Sequence, residues 1–361
     1  MSGQHVVYGF LRPTARWMLP EHSITVLHYE SEQPPFDLLD AGVQTRVVSN
    51  QYRDWVRRAW WELRNFGSVS REIGADVVLS VSGAVTPGCP VPQAVLCQNP
   101  WCYIPQAQFG WQQRFKARLQ RLGYAKAFRN ADMMIYLSGH LRSLYQKGNP
   151  GVTENRADIA NVGLNQDTFD TASEMSDAQR EPFSILSVSA MAPWKGAETL
   201  VEAVHRLHQR SIPATLKFVG PWPVESYHQR IKSLIAAHSL DDHVQILGKV
   251  SDEELHRLYA TSRVFSLMSC CESFGIPAAE AMAFGTPIVS TNCCAIAEIC
   301  EGAGRFGTYD DPEWTANALE SALVNDTQWK TWSDVARSNA SRLDWQTCAK
   351  AFQQIPGLVK H

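Results

Sequence analysis

From residue 183 onward, short apolar runs alternate with segments of helical spacing, and this alternation narrows the fold more than any other property of the chain. The runs at 183–189, 215–220, 244–248, 264–268 and 287–290 are short for helices and apolar enough for buried strands. Between the first two, residues 198–209 bring Leu200, Val201, Val204 and Leu207 onto one helical face. A second helix is predicted at 227–238. Ser251, with Glu254 three residues on, is a capping box that opens a third. Strands alternating with helices imply a parallel, doubly wound sheet, whose ligand lies at the carboxyl ends of the strands.

The first half alternates less regularly. Strands are predicted at 23–29, 43–48, 76–81, 93–98 and 133–138, and helices at 53–66 and 111–129, with another running through Leu141 and Tyr145. The opening strand is expected at 6–10, with a short loop at Arg12-Pro13-Thr14, unless the true start lies upstream. The polar stretch 171–181 reads as an interdomain linker. No solenoid repeat or low-complexity segment interrupts this pattern.

Composition excludes some classes. A chain of 361 residues with 45% hydrophobic and 19% charged residues fits one or two ordinary soluble domains. A formal charge of −3 implies no nucleic-acid-binding field. There is no apolar run of membrane-spanning length, and residues 1–5 lack the basic and apolar regions of a signal peptide. Nine cysteines, an odd number without a secretion signal, point to reduced thiols and a cytoplasmic location. The adjacent pairs Cys270-Cys271 and Cys293-Cys294 lack zinc-site spacing and read as buried small hydrophobes.

Within residues 269–290, Glu272 and Glu280 flank the turn Phe274-Gly275-Ile276-Pro277. Pro277 suits the start of a helix, where a missing N–H costs nothing. The N–H groups of Gly275, Ile276 and Ala278 are then expected free at a helix N-terminus, a ready anion site. One carboxylate lies before that helix and the other about one turn inside it. Together they can accept hydrogen bonds from hydroxyls on both sides of a bound anion. A diphosphate flanked by two polyols is a nucleotide sugar.

This segment resembles the donor-site signature of retaining glycosyltransferases of the GT-B fold, closest to family 4 (glycosyl transferases group 1). Glu272, the Phe274-Gly275-Ile276 step and the run Glu280-Ala281-Met282-Ala283-Phe284-Gly285-Thr286-Pro287-Ile288-Val289 fill its positions, with Ile288 for the first Val. Pro193-Trp194-Lys195-Gly196 is similar to the family's Lys-Gly step, whose lysine reaches the donor diphosphate. Where the family has Gly-Arg-Leu just before it, this chain has Ser189-Ala190-Met191, so the arginine that makes a second phosphate contact is absent, and either another cation serves or the enzyme is slower or different. Residues 161–169 resemble the family's Pro-Asn-Gly-Val-Asp-x-x-x-Phe, with Gly163 and Phe169 matching and Asn165 in place of the Asp. Trp345 is similar to the tryptophan before the family's last helix, expected here at 346–354. The likeness spans roughly residues 130–355, and the region before it is similar only in architecture.

The resemblance implies two Rossmann-like doubly wound domains facing a central cleft. These are an acceptor-binding domain at 1–175, a nucleotide-sugar-binding domain at 176–340 and a final helix at 341–361 crossing back to the first. It implies retaining transfer of a hexose-type sugar from a nucleoside diphosphate to a glycan or lipid-linked saccharide, as in the biosynthesis of cell-surface polysaccharides or glycoconjugates. Glu272 would hold donor-sugar hydroxyls, Glu280 the ribose, and Lys195 with the Gly275 and Ile276 amides the diphosphate. Ser273, Phe274, Gly196 and Gly220 would complete the donor site. No cofactor and no essential metal are expected, since no Asp-x-Asp motif follows an N-terminal strand. Asn99, Trp101 and His140 are the acceptor-side candidates, with Trp101 stacking on a sugar and Asn99 hydrogen bonding to it.

Arg114, Lys116, Arg118, Arg121, Lys126 and Arg129 are interleaved with Trp111, Phe115, Leu119, Leu122, Tyr124 and Phe128. This is either a solvated helix face or a basic amphipathic surface for peripheral contact with the inner face of a membrane. Trp55, Trp60 and Trp61 beside Arg53, Arg57, Arg58 and Arg64 repeat the pattern. Two rival functions fit the same fold. One is a nucleotide-sugar epimerase and the other a catalytically idle binding subunit, the latter suggested by the missing arginine and by the lack of a Gly-rich loop in the first half. A dinucleotide-dependent oxidoreductase is disfavoured, because no G-x-G-x-x-G follows an early strand.

Overall fold

The computed structural model describes residues 2–359. The chain divides into two compact units. One comprises Met1–Tyr103, Phe115–Gly163 and Trp345–His361, and the other Ile104–Arg114 and Leu164–Asp344. The break at 163/164 falls earlier than the 175/176 boundary read from composition, and an excursion at 104–114 belongs with the second unit.

The first unit opens with α1 (Ser2–Met18), β1 (Thr25–Tyr29), α2 (Phe36–Asp40) and β2 (Gln44–Val48). It continues through α3 (Trp55–Ile73), β3 (Val78–Ser80), β4 (Gln93–Cys97), α4 (Gly110–Asn130, whose first turn through Arg114 belongs with the second unit), β5 (Met133–Tyr136), α5 (Gly139–Gly148) and β6 (Arg156–Ile159). Every strand pairing is parallel, but the strands form two sheets, β1-β2 and β3-β4-β5-β6. The expected strand at 6–10 is instead part of α1. Val6, Gly9, Phe10, Pro13 and Thr14 are buried at helical spacing, which only a helix can turn to one side. Pro13 lies inside this helix, and the Thr14 hydroxyl donates to the Phe10 carbonyl at 2.7 Å. Tyr8, Leu11 and Ala15 pack with Leu38, Val43 and Val26, tying α1 to the two-stranded sheet.

The second unit continues with α6 (Gln166–Glu174), β7 (Glu181–Val188), α7 (Ala197–Gln209), β8 (Thr215–Val219), α8 (Glu225–Ala237) and β9 (Val244–Gly248). It completes its layers with α9 (Asp252–Thr261), β10 (Ser262–Leu267), α10 (Ile276–Ala283), β11 (Ile288–Thr291), α11 (Ile296–Ile299), β12 (Gly304–Gly307), α12 (Pro312–Val324) and α13 (Asp326–Ala340). Residues 171–174 of the expected linker are therefore helix, because Thr168 and Ala172 of α6 turn a buried side inward. The six parallel strands run in the order β12-β11-β10-β7-β8-β9. Succession reverses direction between β7 and β10, which makes the space beyond their carboxyl ends the topological switch point. Leu200, Val201, Val204 and Leu207 lie in the core on one side of this sheet, as their spacing requires.

The chain ends in the first unit with α14 (Trp345–Cys348) and a 3-10 segment, Ala349–Gln354, where one continuous helix was expected. The Trp345 indole lies edge-on to Phe10 at 5.2 Å, and Phe352 packs on Phe10 at 4.8 Å. A Cβ at Gly9 or Gly163 would fall 2.2 or 2.5 Å from atoms of Trp345, so both positions must stay bare.

Candidate active site

Two loops leave the switch point of the second unit, and most of the expected donor residues lie on them, with Glu280 on α10 and Gly220 after β8. The loop after β7 ends in a 3-10 turn, Pro193–Lys195. Gly196 then takes φ 70° and caps α7. Any side chain there would be strained, and its Cβ would lie 2.2 Å from the Met268 carbonyl oxygen. The loop after β10 meets the first directly, because the Cys270 N–H donates to the Trp194 carbonyl at 3.1 Å. The Trp194 ring stacks on Phe109 with centroids 6.3 Å apart and planes inclined by 22°. Lys195 is thus held by backbone on one side and by an aromatic stack beside it.

The ammonium of Lys195 donates to Glu272 Oε1 at 2.5 Å, and the two side chains are only 14% and 15% exposed. A half-enclosed pair of this kind has little water to screen it and remains able to bind a ligand through either charge. Just beyond Glu272, Gly275 caps α10 at φ 95°. A Cβ there would come within 2.5 Å of Ile296. Pro277 takes the second helical position. One expectation is corrected at this point, since the Ala278 N–H is not free and donates to the Gly275 carbonyl at 3.0 Å. Among the described residues, no hydrogen bond uses the N–H of Gly275 or Ile276. The start of α10 therefore offers two unused amides, those of Gly275 and Ile276.

Glu280 lies on the second turn of α10 and accepts from the Tyr259 hydroxyl at 2.9 Å. Burial pushes its carboxyl up to about 7, against the opposing hydrogen bond from Tyr259 and with a small upward contribution from Asp252. Arg180 organises the elements that carry this pair. Its guanidinium donates to the carbonyls of Tyr259 and Ser262 at 2.9 Å, of Phe284 at 2.5 Å, and to the Thr286 hydroxyl at 2.7 Å. It ties the end of α9 to the end of α10, and burial lowers its own pKa to about 10. Phe274 is buried under the turn, Ser273 is half-buried within it, and Gly220 follows β8 with its backbone against the Ser189 carbonyl.

The surrounding sulfurs are not poised for chemistry. All nine cysteines are free thiols and seven are buried. Burial raises Cys270 to about 11 and Cys294 to about 12, and pushes Cys271 and Cys300 further up. No group of three or more His, Cys, Asp or Glu side chains able to hold a metal occurs among the described residues.

The acceptor-side candidates lie in the first unit. Asn99 and Trp101 follow β4, where Asn99 Oδ1 accepts from the Trp101 N–H at 2.9 Å. His140 stands in the first turn of α5, just after β5, and Ser138 caps that helix through the Leu141 N–H. Since β4 and β5 are paired neighbours, all three residues sit at the same carboxyl edge of the four-stranded sheet. Sequence reasoning missed Tyr259, Phe109 and Arg180. Each acts on a residue distant in sequence, and no local spacing announces such a pairing.

The chain's likeness to other proteins follows this geometry. Residues 169–338 match the sequence model of the glycosyl transferases group 1. This chain carries a glycosyl transferases group 1 domain. Among its relatives, O-antigen chain mannosyltransferase B of Escherichia coli is 27% identical over 170 residues, 45% of this chain and 42% of that protein. MMP alpha-(1->4)-mannosyltransferase of Mycolicibacterium hassiacum is 33% identical over 172 residues, 46% of this chain and 40% of that one. The chain spans about half the length, or less, of the curated relatives it matches first. The similarity of fold extends further. The structure of Anabaena Alr3699/HepE in complex with UDP and glucose aligns over 99% of this chain and 96% of its own, with a TM-score of 0.72 at 18% identity. WaaG, a glycosyltransferase involved in lipopolysaccharide biosynthesis, aligns over 96% and 94%, with a TM-score of 0.70 at 16% identity. The group 1 domain and its companion unit have the GT-B fold.

Proposed function

We propose that this protein is a retaining, family 4-like glycosyltransferase that moves a sugar from a nucleoside diphosphate sugar to a glycan or lipid-linked saccharide. The observation that carries the reading is the half-enclosed Lys195–Glu272 pair beside the two unused amides of Gly275 and Ile276. As the bond from sugar to phosphate breaks, negative charge grows on the departing nucleoside diphosphate. Fixed donors aimed at that charge lower the barrier without reorganising at the moment of reaction. Lys195 and the two amides supply them, which leaves the Glu272 carboxylate to accept from donor-sugar hydroxyls. Glu280, one turn further along α10, accepts from the ribose. Front-face attack, with the departing phosphate oxygen taking the acceptor's proton, requires no protein nucleophile and no metal. The first unit would present the acceptor through Asn99, Trp101 and His140. The names of relatives that build O-antigen and colanic acid support a role in the synthesis of surface polysaccharide.

Release of nucleoside diphosphate from a panel of UDP-, GDP- and ADP-sugars tests this. Release from one donor, abolished by Glu272→Gln and by Lys195→Ala, is the expected result and names the donor. Absence of release, with no nucleotide raising the melting temperature, refutes the donor site and favours an idle subunit. Conversion of the donor to an isomer without any acceptor identifies an epimerase.

A further inference from the structure

The helix α4 is apolar on two opposite sides. Ala117, Tyr124, Ala127 and Phe128 are buried and anchor it to the fold. Trp111, Phe115, Leu119 and Leu122 are 75, 60, 39 and 65% exposed. With roughly 100° of turn per residue, these four fall within an arc of about 80°, centred nearly opposite the buried side. Packing inside the protein therefore does not explain this stripe.

The charges of α4 are one-sided in sign. It holds six lysines and arginines, all exposed, and no aspartate or glutamate. No ion pair among the described residues uses any of the six. On the same helical projection Arg118, Lys126 and Arg129 lie on or beside the stripe, and Arg114 and Arg121 line one flank. A solvated helix would place polar residues where Trp111, Phe115 and Leu122 stand. Six cations with no acid among them favour a uniformly anionic partner. A sheet of anionic headgroups over hydrocarbon satisfies both features at once, since long basic side chains reach the headgroups while rings and leucines enter the apolar boundary. A second helix, in the first unit, repeats the pairing. Val56, Trp60 and Leu63 of α3 are exposed at helical spacing, and Arg64 lies over the Trp60 ring at 4.7 Å.

We infer that α4 is a docking face for the surface of an anionic phospholipid bilayer, lying in its plane with Trp111, Phe115, Leu119 and Leu122 toward the acyl boundary. The inference does not depend on the donor chemistry. Co-sedimentation of the full-length protein with phosphatidylglycerol–phosphatidylcholine vesicles and with pure phosphatidylcholine vesicles tests it. Binding is expected only with the anionic vesicles, together with a blue shift in tryptophan emission. Reversal of one arginine, Arg118→Glu, is expected to weaken it about 20-fold, since each basic residue near such a surface contributes about fivefold. The triple variant Trp111→Ser, Phe115→Ser, Leu122→Ser is expected to abolish it while keeping wild-type circular dichroism and melting temperature. Equal binding to both vesicle types, or binding to neither, overturns the inference. So does retention of binding by the folded triple variant, or self-association that covers the stripe and is lost in that variant.

Discussion

The Glu280 carboxyl is held near 7 by burial, and this has a measurable effect on stability. In the unfolded chain it titrates at its ordinary value of 4.5. Between those two values the folded protein holds a proton that the unfolded chain has released, so stability falls as pH rises through that window. The displacement corresponds to about 3 kcal/mol of stability lost once both states are ionised. Glu280→Gln removes the titration and keeps an oxygen to accept from Tyr259. The variant is expected to exceed the wild type in stability by about 1 kcal/mol at pH 5.5, rising to about 3 kcal/mol at pH 8.5. Urea unfolding of both proteins across this range, followed by tryptophan fluorescence, reads the difference. The same substitution is expected to weaken nucleotide binding about 10- to 100-fold, because a charged acceptor is lost. A stability difference that stays flat with pH refutes the burial argument. A more stable variant with undiminished nucleotide affinity refutes the assignment of Glu280 to the ribose.

Other expectations follow from neighbouring geometry. Gly275→Ala places a Cβ against Ile296 at positive φ, and is expected to cost about 1–3 kcal/mol and to remove the thermal shift given by nucleotide; a variant as stable and as responsive as wild type contradicts it. Arg180→Met removes four hydrogen bonds from the ends of α9 and α10, with an expected loss of about 3–5 kcal/mol by urea denaturation, and a loss below about 1 kcal/mol would show that the clamp is dispensable. In the native protein an aromatic disulfide reagent at pH 8 is expected to label Cys89 and Cys293, the two half-exposed thiols, well before the seven buried ones. Rapid labelling of all nine would show that both units open readily.

The second unit was legible because its sequence signals are local. Pro277, the small-residue helix after it and the Gly196 step each have a reason within a few residues of themselves. Alternating strands and helices then placed their loops together without further information. The first unit was harder for a physical reason. Its opening segment has a buried stripe at Val6, Phe10 and Thr14, but an apolar run of five beside a proline is also what an opening strand looks like. Distinguishing them requires knowing that the stripe meets Trp345 and Phe352, residues from the other end of the chain. The stretch at 171–174 looked like linker because its exposed residues are polar, while the two that set its conformation, Thr168 and Ala172, are small. The hold of Phe109 on Trp194 and of Tyr259 on Glu280 is a tertiary pairing with no periodicity to betray it.

The seat of Trp345 between Gly9 and Gly163 bears on the order in which the protein is made. A ribosome delivers residues 1–163 first, yet the aromatic cluster around Phe10 stays incomplete until Trp345 and Phe352 have emerged. Apart from the excursion at 104–114, the second unit is one uninterrupted stretch, Leu164–Asp344, and can finish folding while the first still waits. The half synthesised first is therefore the half completed last. Until then α1 presents Phe10 without the two aromatic partners that cover it, which leaves this face of the first unit open to misassociation during synthesis.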